Sequence, residues 1–245
     1  MPNYRLTIQY DGGRYKGWQK LGNDENTIQG KMEKVISQLV GEDTEITGCS
    51  RTDAGVHALY QVANFKTEKY FTEKEIMDYF IRYLPKDICV INVEIVHDRF
   101  HARYNAKSKT YLYKIWNREY PNPFMRKYSM HVEQKLNLEE MRKAGSFFLG
   151  EHNFTAYSNA KSKKKSMVRK IYSVDINEED GFVNIRICGD GFLYNMVRKM
   201  VGTLIEVGLG LKKAEDIPAI IESKSRKETG LMAEACGLYL EKIEY

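Results

Sequence analysis

Between two stretches that read as strands runs the segment Gly48-Cys-Ser-Arg-Thr-Asp-Ala-Gly-Val-His57. A loop at a sheet end lets a rigid frame hold a reactive group. Its carboxylate, Asp53, stands two residues after Arg51, and Gly55 relieves the backbone just beyond it. An aspartate so placed can form a turn, join an ion pair, or act as a base or nucleophile, and local chemistry leaves these open. Tyr111 and Tyr113 alternate with Leu112, so they share one face of a strand, either as core residues or as flat surfaces for stacking. Arg198 lies in a helical stretch with Met196, Met200, Val201 and Leu204. A guanidinium there either reaches the outer face of an amphipathic helix or has a partner, because isolated buried charge is costly. The run from Lys161 to Lys170 holds six basic residues and no acidic one. It is a solvated turn or a phosphate-binding loop; with the basic balance of the whole chain the second is favoured, through Lys163, Lys164 and Lys165.

The elements that must carry these groups follow from periodicity. Tyr4, Leu6, Ile8 and Tyr10 recur at period two and predict a half-buried strand, closed by the turn Asp11-Gly12-Gly13. Asn26 and Gln29 fit a capping box, and Ile28, Met32, Val35, Ile36, Leu39 and Val40 give the helix behind it one apolar face, up to Gly41. Strands are expected near Glu45 to Cys49, Gln61 to Lys66 and Cys89 to His97. A second capped helix (Thr72, Glu75) runs between the last two and stops at Pro85. The order β-α-β-β-α-β is the split βαβ or ferredoxin-like unit. A related rhythm follows: strands at Thr110–Trp116, near Tyr128–Glu133, at Val168–Ile176 and Phe182–Cys188; helices at about Leu138–Leu149 (with Asn137 and Glu140 as capping box), Phe192–Val207 and Ala214–Ser223; and a last strand near Leu238–Ile243. The expected fold is α+β, two ferredoxin-like halves at 1–104 and 105–245 with a joined, mainly antiparallel sheet flanked by helices.

Composition narrows the class. Of 245 residues, 42% are hydrophobic and 29% charged, and 38 basic against 33 acidic residues give a net charge of +5. That is an ordinary globular chain, slightly basic, with tyrosine high at 17. Cys49, Cys89, Cys188 and Cys236 form no C-x-x-C pair and read as buried small hydrophobes in a reducing compartment. The start carries no signal-peptide pattern, no apolar run reaches a membrane span, and the cytoplasm is the expected location. No P-loop, dinucleotide fingerprint or metal-binding spacing occurs in the sequence, which disfavours a generic metabolic enzyme and predicts no cofactor and no metal.

Arg51-Thr-Asp-Ala-Gly-Val-His57 resembles the signature of the TruA family of tRNA pseudouridine synthases. Further segments are similar to that family in the same chain order: Tyr10-Asp-Gly-x-x-Tyr-x-Gly-Trp-Gln19; Phe100-His-Ala-Arg103 with Lys109-Thr-Tyr-Leu-Tyr113; Gly150-Glu-His-Asn-Phe-Thr155; Gly191-Phe-Leu-Tyr-Asn-Met-Val-Arg-Lys-Met-Val-Gly202; and Gly237-Leu-Tyr-Leu240. Two departures stand out: few arginines over Asn105–Thr110, and Glu234 where many members carry proline.

The resemblance implies an isomerase that converts uridine to pseudouridine in the anticodon stem-loop of tRNA, at positions 38, 39 and 40. It assigns the catalytic carboxylate to Asp53, the stacking partner of the extruded base to Tyr111, and the partner that keeps Asp53 ionised to Arg198. Arg51 is expected to contact substrate phosphate or order the loop; His57 and His101 are assigned to no catalytic step. A homodimer with one tRNA touching both subunits is also implied. The reaction breaks the bond between C1′ and N1 and joins C5 to C1′, without redox change or group transfer, so it asks for no cofactor. The rival is a noncatalytic tRNA-binding or RNA-chaperone protein on the same fold.

Overall fold

A computed structural model of the chain describes residues 1–22, 24–159 and 166–245. They divide into two compact units, one of Met1–Lys107 with Tyr239–Tyr245 and the other of Ser108–Leu238. Both combine helices with mainly antiparallel strands, the α+β class expected.

In the first unit β1 (Asn3–Tyr10) runs antiparallel to β3 (His57–Lys66) on one side and to β4 (Ile88–Val96) on the other. Tyr4, Leu6, Ile8 and Tyr10 are all at most 4% exposed, as their period predicts. Burying one large apolar side chain contributes about 1.5–3 kcal/mol. A one-residue slip would turn this whole stripe outward, so the burial also sets the register. Helix α1 (Ile28–Val40) ends at Gly41, whose φ of 82° is the left-handed cap that glycine tolerates. Its N-cap is Thr27, which accepts from Gly30 N, and not Asn26 as expected. The Asn26 amide instead closes the preceding loop onto the Arg14 carbonyl, and Gln29 reaches Glu33 and the Ile46 carbonyl. Helix α2 (Glu73–Tyr83) has the expected capping box of Thr72 and Glu75.

Strand β2 shrinks to Thr47–Gly48, while β3 begins four residues earlier than its apolar pattern suggests, at His57. One edge of β3 is shared. Thr47 and Gly48 pair with Asn64 and Ala63, whereas Tyr239 and Leu240 of the terminal strand β10 (Leu238–Glu244) pair in parallel with His57 and Ala58. The loop carrying Asp53 leaves the sheet after β2 and re-enters it at β3.

The second unit holds β5 (Ser108–Trp116), β6 (Met130–His131), β7 (Gly150–Asn153), β8 (Val168–Glu179) and β9 (Phe182–Gly189). Their order is β5-β9-β8-β7, all antiparallel, with β6 parallel to the end of β5. Four mostly polar residues show no period, which is why β7 was not expected. Asp180 and Gly181, at φ 50° and 84°, turn β8 into β9 as a two-residue hairpin requires. Helix α3 (Leu138–Ser146) is capped by Asn137, and α5 is Asp216–Ser223. Helix α4 (Met196–Gly208) starts four residues later than expected because Asn195, at φ 61°, breaks the helical backbone. Of its 13 residues 11 are buried, so α4 is a core helix and not an amphipathic one.

Of the cysteines only Cys49 is buried; Cys89 is exposed and Cys188 and Cys236 are intermediate, which corrects the expectation of four buried ones. Cys89 falls on an outward position of β4, so its strand register decides its exposure. Among the described residues no helix is long and apolar enough to cross a membrane.

Candidate active site

The loop around Asp53 is clasped by the segment that follows β1. Tyr10 and Thr52 join hydroxyls at 2.8 Å in the interior. Trp18 N donates to the Thr52 carbonyl at 3.1 Å and Gly55 N to the Tyr15 carbonyl at 3.3 Å. Within the loop, Val56 N donates to the Asp53 carbonyl at 3.2 Å. The approach is close enough to exclude side chains. A methyl on Gly12 would sit 1.9 Å from the Val56 carbonyl oxygen, and one on Gly17 2.6 Å from that of Thr52. Gly17 also has φ +96°, where an L side chain is strained. On the approach to the loop, the Trp18 indole covers Gly48 so tightly that a methyl there would lie 2.4 Å from it. The segments Tyr10–Gln19 and Gly48–His57, separate in sequence, are therefore one fixture, and Asp53 is held half-buried within it.

Beneath the fixture His57 is 2% exposed and its ring stacks on Tyr239 with centroids 4.9 Å apart. Its Nδ1 lies 3.1 Å from both Gly12 N and an Asp11 carboxylate oxygen. At the other end Asp87 gathers the turn after β1: it accepts from Tyr15 Oη at 2.6 Å, pairs with Arg14, and gives its carbonyl to Asp11 N at 2.9 Å. Burial on its own would raise the Asp87 carboxyl. The bonds from Tyr15 and Arg14 outweigh it and hold the group below its ordinary value. Burial, followed by the bond to Asp87, pushes the Tyr15 hydroxyl up.

In the second unit Tyr111 and Tyr113 both lie inside β5, 6% and 0% exposed. Their roles differ. Tyr113 is a core residue whose hydroxyl donates to the Glu234 carbonyl at 2.8 Å, and burial raises its pKa. Tyr111 and Phe192 meet edge to face, centroids 5.2 Å apart at 86°. Phe192 was expected to open a helix; because α4 starts only at Met196, its ring is free to face β5. Arg198 is intermediate in exposure, and its Nε donates to the Ala233 carbonyl at 2.7 Å. In return Ala233 N donates to the Arg198 carbonyl at 3.1 Å.

Arg51 is exposed. His101 organises a turn, its Nδ1 accepting from Arg103 N at 3.1 Å with its ring against Tyr104. Lys163, Lys164 and Lys165 lie outside the described residues. Gly12, Gly17, Tyr15 and Thr52 were not identified as site residues from sequence, although the two motifs that contain them, Tyr10–Gln19 and Arg51–His57, were their signal. Ala233 contributes only backbone to Arg198 and left no signal. Among the described residues no group of three or more His, Cys, Asp or Glu converges as metal ligands would.

A carboxylate on a backbone-clasped loop and an arginine on a core helix fall in the two stretches, 6–105 and 144–245, matched by a family model described as tRNA pseudouridine synthase; Tyr111 lies between them. The chain belongs to the tRNA pseudouridine synthase family. Within it, the chain is similar to proteins named tRNA pseudouridine synthase A. One from Bacillus anthracis, named tRNA pseudouridine synthase A 2, is 64% identical over the whole of both chains. One from Bacillus sp. (strain KSM-64) is also 64% identical, and one from Thermoanaerobacter sp. (strain X514) 45%, again over the full length of each. Among solved structures, a chain of a Cbf5-Nop10-Gar1 complex aligns with a TM-score of 0.33 at 13% identity, over 84% of this chain and 54% of that one.

Proposed function

We propose that this chain isomerises uridine to pseudouridine in the anticodon stem-loop of tRNA, at positions 38, 39 and 40, with Asp53 as the catalytic carboxylate. The observation that carries the reading is the Asp53 fixture. Backbone bonds and two glycines that admit no side chain hold its loop, so the carboxylate can meet a substrate without reorganising the loop. As nucleophile such a group displaces N1 and forms an ester bond to C1′ that breaks when C5 attacks. As base it takes a sugar proton while the bond to N1 breaks and returns it afterwards. In either route the freed uracil turns, C5 joins C1′, and the proton lost from C5 is balanced by the one N1 gains. A paired base must leave its stack to reach the carboxylate, and Tyr111 is the aromatic residue assigned to receive it. Arg198 is assigned to keep the reaction's carboxylate ionised. Lys163, Lys164, Lys165 and Arg51 are the proposed phosphate contacts. The family resemblance supports a homodimer in the cytoplasm that uses no cofactor.

The test is incubation of the purified chain with unmodified tRNA, followed by nucleoside analysis and position mapping. Pseudouridine at 38, 39 or 40 is the expected product. Tight tRNA binding with no pseudouridine would instead establish the rival, a noncatalytic RNA-binding protein.

A further inference from the structure

Next to Arg198 on α4 stands Lys199, only 6% exposed. Its ammonium nitrogen faces three oxygens: the Ala156 carbonyl at 3.3 Å, the Arg226 carbonyl at 3.4 Å and the Thr229 hydroxyl at 3.2 Å. An ammonium has three donors, and three acceptors surround this one. Two of them belong to the segment after α5, which returns to pack along α4.

That segment has no regular structure from residue 230 to 234 and touches down at two fully buried residues, Thr229 and Ala233, with Leu231 and Met232 exposed between them. Helix α4 holds it at several points, and Asn159 Nδ2 adds a contact of 3.8 Å to Met232 Sδ. Thr203 Oγ1 lies 2.6 Å from the Thr229 carbonyl, and Glu206 accepts from Leu231 N at 2.8 Å. Gly202 lets the segment come so near that a methyl there would lie 1.8 Å from the Leu231 carbonyl oxygen. Residues 198, 202 and 206 are spaced by one helical turn each, as are 199 and 203, so one side of α4 forms the seat. The segment finishes by placing the Ala233 carbonyl on Arg198 Nε.

We propose that Lys199 is a positioning residue for Arg198: it anchors the 226–233 segment to α4 and so fixes the carbonyl that orients the guanidinium. This rests on the reading that Arg198 serves the isomerisation. Lys199 touches neither substrate nor reacting atoms; its effect passes through Thr229, the backbone to Ala233, and Arg198. A lysine that only stabilised the fold would lower the melting temperature without regard to residue 198. One that acts through Arg198 loses its effect on rate once the arginine is gone.

The experiment is a double-mutant cycle of Lys199→Met and Arg198→Lys in the full chain, read by single-turnover rate on a tRNA stem-loop at saturating enzyme, by tRNA affinity and by thermal melting. Lys199→Met should slow the single turnover about tenfold with affinity nearly unchanged, within the coupling expected of residues in one network. In the Arg198→Lys background the same change should leave the already reduced rate unaltered while still lowering the melting temperature. A Lys199→Met rate equal to wild type, with Arg198→Lys impaired, overturns this inference and leaves the role of Arg198 standing. Equal fold-losses in both backgrounds also overturn it, since the lysine would then act on the fold at large. A wild-type rate for Arg198→Lys overturns both readings together. If Lys199→Met does not fold, Thr229→Val removes one partner of the ammonium while keeping the side-chain shape. The same cycle then applies, and a rate loss undiminished by Arg198→Lys overturns the proposal.

Discussion

Around Asp53 the main chain does most of the holding, and around Arg198 the side chains of one helix take the larger share. The aspartate loop is fixed by amide-to-carbonyl bonds from Trp18 and Gly55 and by glycines at 12 and 17 that leave no room for a methyl. The arginine is fixed by a segment that Lys199, Thr203 and Glu206 grip with charged or hydroxyl groups. The first arrangement depends on the absence of side chains and fails when one is added. The second also needs one bare position, Gly202 against the Leu231 carbonyl, but it depends as well on gripping side chains and fails when one is removed. A loop has no face of its own to display side chains regularly, so it is fixed by close backbone contact. A helix displays them every turn and can use them as clamps.

The largest expected effect breaks the chemistry and leaves both clasps whole. Asp53→Asn should abolish pseudouridine formation while tRNA affinity stays within a few-fold, because binding is spread over many phosphate contacts. Product formed at near wild-type rate by the pure variant would remove Asp53 from the mechanism. Next comes Tyr111→Phe, which keeps the ring and its contact with Phe192. The hydroxyl is expected to take part in proton transfer, so the single-turnover rate should fall by about 10²–10⁴ with binding nearly intact. A rate close to wild type would leave Tyr111 as a stacking surface and shift removal of the C5 proton to another group.

Gly17→Ala tests the aspartate clasp directly. It combines a strained backbone with a clash against the Thr52 carbonyl, and the strain alone costs about 1–3 kcal/mol. Gly210→Ala is the matched control, with φ +74° but nothing within 4 Å of the added methyl. The melting temperature of Gly17→Ala should fall further than that of the control, and only Gly17→Ala should slow the reaction. Equal losses in the two would mean that the loop tolerates the displacement. The smallest effect is in acid. Asp87 is held below its ordinary carboxylate value of 3.8, so its contribution to stability is complete above that value and is lost as pH falls through the lowered one. Melting curves of Asp87→Asn should therefore show a shallower acid dependence than wild type below about pH 4. Parallel pH profiles would contradict this.

Much of this was legible in the sequence wherever one residue type repeats at the period of an element. The β1 stripe, the apolar face of α1 and the Thr72–Glu75 cap of α2 stand where periodicity and capping chemistry put them. The errors fall where two local signals compete or where a segment is too short to show a period. Thr27 takes the cap from Asn26 because the asparagine amide is drawn to a carbonyl twelve residues back. Helix α4 starts late because Asn195 adopts a left-handed backbone, which apolar spacing does not encode. The segment Gly150–Asn153 becomes a strand only because β8 offers it an edge.

By itself the sequence determined the chemical parts: a carboxylate in an Arg-Thr-Asp-Ala-Gly loop, a tyrosine on an alternating strand, an arginine in an apolar helical stretch, and the resemblance that names their family. Those depend on residue identity and short spacing, which a linear chain displays in full. Only the tertiary structure decided what fixes each part in space. That Gly12 and Gly17 yield their volume to residues 52–56, and that a buried lysine on α4 anchors the segment whose backbone carbonyl meets Arg198, are contacts between stretches far apart in the chain. They involve carbonyls and empty space as much as side chains. A backbone oxygen is the same atom in every residue, so its partner becomes known only when the fold brings the two together.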